Sequence, residues 1–207
     1  MRLVLASASP ARAELLRQIG LEFDVVPSGI PENAVDCSDP AGGVVSLALA
    51  KARHVASKER DAVVIAADTV VVLGHEVLGK PTDPDDARRM LRRMSGRWHQ
   101  VISGLALVDA QTGREAACHE TTRVRMASLP PVVLDWYVAS GEPLGKAGSY
   151  AIQGRGALLV ERISGCYFNV VGLPIFRLVG LARAIGVDLA QEAFRGCNAC
   201  RTAYRAD

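Results

Sequence analysis

From residue 63 to residue 73 the chain reads Val-Val-Ile-Ala-Ala-Asp-Thr-Val-Val-Val-Leu, an apolar, largely β-branched run broken only by Asp68 and Thr69. Its two pieces, 63–67 and 70–73, are continuous rather than alternating, so they predict strands buried on both faces or the arms of a bent hairpin. Neither piece approaches the ~20 apolar residues that span a bilayer. An aspartate in such surroundings is costly to bury unless it is paired or bound to a metal. Two readings of Asp68 follow: a turn residue joining two strands, or a metal ligand or general base at a strand end.

Helices alternate with strands around this run. A short buried strand is predicted over 3–6. Ser9 then offers a cap and Pro10 a first helical position, Leu15, Leu16 and Ile19 mark the buried face, and Gly20 ends the helix. A strand is expected over 23–26 and a helix from Asp39-Pro40 to about Ser57. Over 83–94, Asp83 caps, Pro84 starts, and Ala87, Met90, Leu91 and Met94 fall on one face. The opposite face carries Arg88, Arg89, Arg92 and Arg93, which reads as a solvated surface. Strands over 101–109 and 115–126, joined at Gln111-Thr112-Gly113, predict an antiparallel hairpin. A helix over 128–140, a strand over 158–160 and a helix over 175–185 complete an α/β chain with a mixed sheet.

The balance of 24 Lys and Arg against 22 Asp and Glu leaves a net charge of +2, and aromatic residues make up only 5%. Both argue against a nucleic-acid or anionic membrane surface. With 207 residues, 49% of them apolar, the chain can build a core without staples. The opening Met-Arg-Leu-Val-Leu-Ala-Ser is too short for a signal peptide and predicts the first strand of a cytoplasmic protein. Five cysteines without framework spacing fit reduced thiols. Cys197-Asn-Ala-Cys200 lacks the further ligands a zinc site needs and reads as a tail with incidental thiols.

Four segments can carry chemistry. Ser7-Ala-Ser-Pro-Ala-Arg12 joins a strand to a helix N-terminus, where free amides, two hydroxyls and a guanidinium suit a phosphate, although a plain cap with a surface arginine is the simpler reading. Gly74-His-Glu-Val-Leu-Gly79-Lys80-Pro81 matches a P-loop spacing, but Pro81 stands where a magnesium-binding hydroxyl is required, so the P-loop is rejected and Lys80 is kept as an isolated phosphate-binding cation. Lys51, among small apolar neighbours in the second helix, either reaches inward or is solvated. A glycine-rich loop, Gly148-Ser-Tyr-Ala-Ile-Gln153-Gly-Arg-Gly, permits close ligand approach, with Gln153 able to read a base edge.

Eight segments stand in an order that resembles one family. They are Ser7 to Arg12, Ser28-Gly-Ile-Pro-Glu32, Leu47-Ala-Leu-Ala-Lys51-Ala, Ala67-Asp68-Thr69, Gly79-Lys80-Pro81, Ser95-Gly-Arg-Trp-His99-Gln-Val, Lys146-Ala-Gly-Ser-Tyr-Ala-Ile-Gln153-Gly, and Asn169-Val-Val-Gly-Leu-Pro174. Each alone is weak. Together they resemble the Maf family of nucleoside triphosphate pyrophosphatases, also called septum-formation-inhibitor-like proteins. The resemblance implies a mixed, bent sheet flanked by helices, two lobes around a central cleft, similar to the inosine triphosphatase fold. It implies one catalytic domain over 1–190 and a tail over 191–207. The implied reaction cleaves the α–β phosphoanhydride of a nucleoside triphosphate with a divalent cation, Mg or Mn. Asp68 resembles the family's proton acceptor; Glu32 and Asp68 would hold the metal. Ser7, Ser9, Arg12, Lys51 and Lys80 would surround the triphosphate. Thr69 and Gln153, within ADT and IQG, resemble the branch acting on dTTP and UTP. Ala11 and Ala50 depart from that pattern, standing where the branch often has an arginine and an acid. A homodimer is compatible with the resemblance, and a non-catalytic nucleotide-binding regulator of cell division is the rival expectation.

Overall fold

The computed structural model describes residues 1–31 and 38–196. In chain order the elements are β1 (Arg2–Leu5), α1 (Pro10–Gln18), β2 (Asp24–Val25), α2 (Pro40–Ala56), β3 (Ala62–Leu73), β4 (Glu76–Leu78), α3 (Pro84–Met94), β5 (Trp98–Asp109) and β6 (Glu115–Met126). Then follow α4 (Pro131–Ala139), β7 (Val160–Ser164), α5 (Tyr167–Val171), α6 (Ile175–Ala184) and α7 (Leu189–Gly196). The capping signals act as expected. Ser9, Asp39 and Asp83 each accept a hydrogen bond from an amide of the first turn, with a proline opening each helix. On α3 the arginine face is solvated, Arg88 and Arg89 pairing with Asp85 and Asp86 one turn back.

The fold is α/β, one mixed seven-stranded sheet in the order β2-β1-β3-β5-β6-β7, with β4 added to β3. β3 is its axis. One edge pairs with β5 without interruption from Val63 to Val72. The other edge is shared: β1 runs parallel to residues 62–65, and β4 runs antiparallel to residues 71–73. Among the described residues, no strand occupies the edge of β3 over 66–70. The sheet therefore opens there, beyond the carboxyl end of β1, the place where open α/β sheets receive ligands. This corrects the expectation of two strands with Asp68 at a turn or strand end. Asp68 and Thr69 lie inside one strand, because the pairing with β5 runs on through both residues while their side chains find polar partners.

Period-two alternation sends successive residues of β3 to opposite faces. Val63, Ile65 and Ala67, with Leu3, Leu5, Leu105 and Leu107, pack against Leu15 and Leu16 of α1 and Leu178 and Ala182 of α6. Farther along the same face, Val71 and Leu73 join Val101, Val124 and Met126 beneath Ala87, Leu91 and Met94 of α3 and Leu134 and Tyr137 of α4. The other face is covered by α2, whose Ala48, Ala52 and Val55 lie on Val64, Ala66 and Ala106. Small residues let α2 sit very close: a Cβ added to Gly104 would lie 2.1 Å from the Val44 carbonyl oxygen.

Several boundaries differ from expectation. The strand expected over 158–160 begins at Val160, because residues 154–159 form a 3₁₀ turn. β4, α5 and α7 are additional elements, and α7 crosses residue 191, where a tail was expected to begin. Cys118 and Cys166 are free thiols. Cys37, Cys197 and Cys200 lie outside the described residues. Among the described residues, no helix is long and apolar enough to cross a membrane.

Candidate active site

At the gap in β3, Asp68 and Thr69 point to opposite faces and each meets a cation. Asp68 faces α2, where Lys51 Nζ donates to its Oδ1 at 2.7 Å. Both residues are only 4% exposed. The inward reading of Lys51 is therefore the one realised, and it follows from the close seating of α2 on the sheet. Gly104 is the cross-strand partner of Asp68, so the glycine that admits α2 lies directly beside the carboxylate.

Thr69 faces the other way, into a buried polar seam between the two apolar clusters. Its Oγ1 accepts from Arg12 Nη2 at 3.0 Å and shares a hydrogen bond with Ser103 Oγ at 2.8 Å. Ser103 in turn donates to the Asn169 carbonyl at 3.4 Å. Asn169, fully buried, donates through Nδ2 to the Val101 carbonyl and to Thr122 Oγ1, both at 3.0 Å. Its Oδ1 has no partner among the described residues.

Arg12 ties these segments together. Besides Thr69, it donates from Nε to the Gly172 carbonyl at 2.9 Å and from Nη1 to Ser7 Oγ at 3.0 Å. Ser7 Oγ also accepts from the Ser9 amide at 3.2 Å. The guanidinium, expected either as a phosphate partner or as a surface arginine, is buried and braces β3, the start of α1 and the end of α5. Its fork supplies five donors in fixed directions, which a single ammonium cannot match. Gly172 adopts a φ of 122°, a conformation that favours glycine, which aims its carbonyl toward Arg12.

These groups line one cleft. Ser7, Ser9, Arg12, Asp68, Thr69, Lys80 and Gln153 border a cavity of about 330 Å³. It adjoins a second, of about 480 Å³, bordered by Ser28, Gly29, Ile30 and Lys51 and sharing Ser7, Ala8 and Lys80. Together they fall in the size range of small-molecule sites. Glu32, the expected second metal ligand, lies outside the described residues. Among the described residues lining the cleft, Asp68 is the one carboxylate, and the Ser7, Ser9 and Thr69 hydroxyls that share the lining are likewise hard oxygens, which suit Mg or Mn rather than a soft-ligand metal. Among the described residues, no three His, Cys, Asp or Glu side chains cluster. The described residues therefore fit a cation held by one carboxylate together with substrate phosphates, a manner usual for Mg.

Ser103, Asn169, Gly172, His99 and Tyr150 are site components to which the sequence reading gave no role. Tyr150 lines the cleft, and its hydroxyl bonds His99 Nε2 at 2.7 Å beneath it. Burial lowers the His99 pKa from 6.5 to about 4 and raises that of Tyr150 well above the ordinary phenol range. The available signal was the presence of polar residues inside apolar strands: His99 and Ser103 interrupt β5 much as Asp68 interrupts β3.

Comparison with known proteins adds a family. A relative from Moorella thermoacetica, named dTTP/UTP pyrophosphatase, is 53% identical over 188 residues, covering 91% of this chain and 97% of its own. One of the same name from Symbiobacterium thermophilum is 50% identical over 188 residues, covering 91% and 96%. Among solved structures, the Staphylococcus aureus Ham1 protein is 13% identical with a TM-score of 0.42, over 61% of this chain and 72% of that one. The family model described as Maf-like protein matches residues 2–185. The chain belongs to the Maf-like protein family.

Proposed function

We propose that this protein is a nucleoside triphosphate pyrophosphatase that hydrolyses dTTP and UTP to the nucleoside monophosphate and pyrophosphate. The observation that carries the reading is the buried Asp68–Lys51 pair at the opening of β3, on the wall of a cleft that also presents Arg12 and Lys80. The names of the relatives support the same substrates. A protein that only binds nucleotide needs the cations but not a carboxylate poised beside them.

In this reading the triphosphate lies against the start of α1, where Ser7, Ser9 and the helix amides receive its oxygens. Arg12, Lys51 and Lys80 offset its charge and the charge that develops on the leaving pyrophosphate. Water attacks the α-phosphorus, the bond from that phosphorus to the bridging oxygen breaks, and Asp68 accepts the proton that water gives up. Lys51 holds the carboxylate in one orientation for that task. A divalent cation bound through Asp68, Glu32 and phosphate oxygens would supply charge neutralisation and polarisation of the α-phosphate. Thr69 and Gln153 face the pyrimidine. The same reading makes residues 1–190 one two-lobed catalytic domain with a tail over 191–207, and places the protein in the cytoplasm. Sedimentation decides whether it is a homodimer.

The test is pyrophosphate release from dTTP, UTP, CTP and 7-methyl-GTP with Mg or Mn. Release from dTTP and UTP above the other two is expected. Asp68→Asn should lower turnover at least ~100-fold, the scale of a lost general base. Near-wild-type release from that variant would refute the assignment.

A further inference from the structure

Gln153 sits at the tip of a tight turn, and that turn is fastened to the end of α4. The Ala151 amide donates to Tyr137 Oη at 3.1 Å, and this hydroxyl donates to Glu142 Oε1 at 3.0 Å. On the far side of Gln153, the same carboxylate accepts from the Gly156 amide at 2.9 Å and from the Arg155 amide at 3.1 Å. Chain positions 151 and 156 are drawn so close that a Cβ on Gly156 would lie 2.0 Å from the Ala151 carbonyl oxygen. At Gly154, where φ is +64°, a Cβ would lie 3.0 Å from Glu142 Oε2. The Arg155 guanidinium adds an independent contact, lying over the Trp136 ring at 6.0 Å.

We infer that Glu142, with Tyr137, is a positioning residue for base recognition: it clamps both ends of the 151–156 turn so that Gln153 meets the substrate's base in one fixed pose. This rests on the reading of Gln153 as the residue that faces the pyrimidine. The physical ground is preorganisation. A six-residue turn with three backbone amides tied to one dyad has lost its conformational freedom before substrate arrives, so that cost is absent from binding. Bonds to a carboxylate are also the stronger kind. Glu142 itself lies outside the residues that line the cleft, so its influence passes through the turn. Tyr137, buried in the α3–α4 core, fixes the dyad to the rigid part of the fold.

The clamp acts on the base and leaves the phosphates alone, which makes it separable from catalysis. In Glu142→Ala, KM for UTP and dTTP should rise roughly tenfold, because the 151–156 turn regains part of its freedom and must be ordered again on binding. Turnover at saturation should stay within about twofold of wild type. Competitive inhibition by pyrophosphate, which has no base, should be unchanged. Tyr137→Phe keeps the buried ring, loses the hydroxyl, and should split KM from kcat in the same direction. Amide hydrogen exchange at Arg155 and Gly156 should accelerate in Glu142→Ala while the exchange of α3 and β5 stays at wild-type rates. An unchanged KM in both variants, or an inhibition constant for pyrophosphate that rises in parallel with KM, would overturn the inference. A wild-type enzyme that releases pyrophosphate from neither nucleotide would instead overturn the substrate reading, with exchange at Arg155 and Gly156 still deciding the clamp.

Discussion

Removing Lys51 tests the buried pair most directly. In Lys51→Met the methylene stem is replaced by a side chain of similar volume, and Asp68 keeps its carboxylate at 4% exposure without that ammonium. At 2.7 Å and an effective dielectric near ~20, the lost attraction is about 6 kcal/mol, an upper bound because both charges lost their hydration on folding. Breaking one partner of such a pair costs ~3–5 kcal/mol in practice. For a domain of this size each kcal/mol moves Tm by ~2–4 °C, so melting should fall by roughly 6–20 °C. Adding Asp68→Asn removes the stranded charge, and the double variant should recover most of the loss. Urea unfolding of wild type, both single variants and the double variant completes the cycle, with an expected coupling of at least ~2 kcal/mol. A loss below ~1 kcal/mol in Lys51→Met, or simple additivity of the two singles, would show that the pair is solvated and would remove the ground for placing Asp68 in a desolvated site.

Three further perturbations probe the surrounding scaffold. His99 is held neutral by burial at a pKa of about 4 against 6.5, so between those values the unfolded chain binds a proton that the folded one refuses. Stability should be intact above pH ~6.5 and fall by up to ~3 kcal/mol as pH drops through that window; urea titrations of wild type and His99→Gln should differ in that slope, and identical slopes would refute it. Gly104→Ala puts a Cβ 2.1 Å from a backbone oxygen of α2, so it should cost ~1–3 kcal/mol or more and, by lifting the helix that carries Lys51, cut pyrophosphate release with it. Arg12→Lys replaces three nitrogens by one and so cannot keep all three bonds to Gly172 O, Ser7 Oγ and Thr69 Oγ1; it should lower turnover at least ~10-fold, and wild-type kinetics would show that charge alone suffices at this position.

The starts of α1, α2 and α3 and the candidate charged residues were legible because their signals are local. Ser9-Pro10, Asp39-Pro40 and Asp83-Pro84 announce helix starts within two residues, and Asp68 stands out against its apolar neighbours. What stayed hidden depends on register. Thr69 meets Ser103, and Asp68 meets Gly104, only because β3 and β5 pair in one alignment; a shift by one residue would exchange every face. No periodicity within either strand carries that information. β4 and α5 escaped notice for a different reason. At three and five residues, they are too short to have a period, and neighbours rather than propensity hold them. Arg12 stood out as a cation near a helix start, yet two of its three hydrogen-bond partners lie 57 and 160 residues away and could not be inferred from the Ser7–Arg12 segment.

The cost of the seam between the two cores also explains where chemistry can occur. Thr69, Ser103 and Asn169 interrupt what would otherwise be one continuous apolar face, and two buried atoms, Asn169 Oδ1 and His99 Nδ1, find no partner among the described residues. Each such group destabilises a fold that could have used apolar side chains there. The seam ends at Arg12, which lines the cleft and is held there by Thr69, Gly172 and Ser7. The polar chain and the gap in β3 are thus two parts of one arrangement. In the proposed function, the gap would present Asp68 and Thr69 to the triphosphate and the seam would fix the guanidinium beside them, so stability given up between the cores would be converted into a preorganised cationic wall. Replacing Ser103 or Asn169 by apolar residues of similar size should therefore preserve or raise stability while loosening Arg12 and lowering turnover. A variant that gained stability with full activity would separate the two parts and break this link.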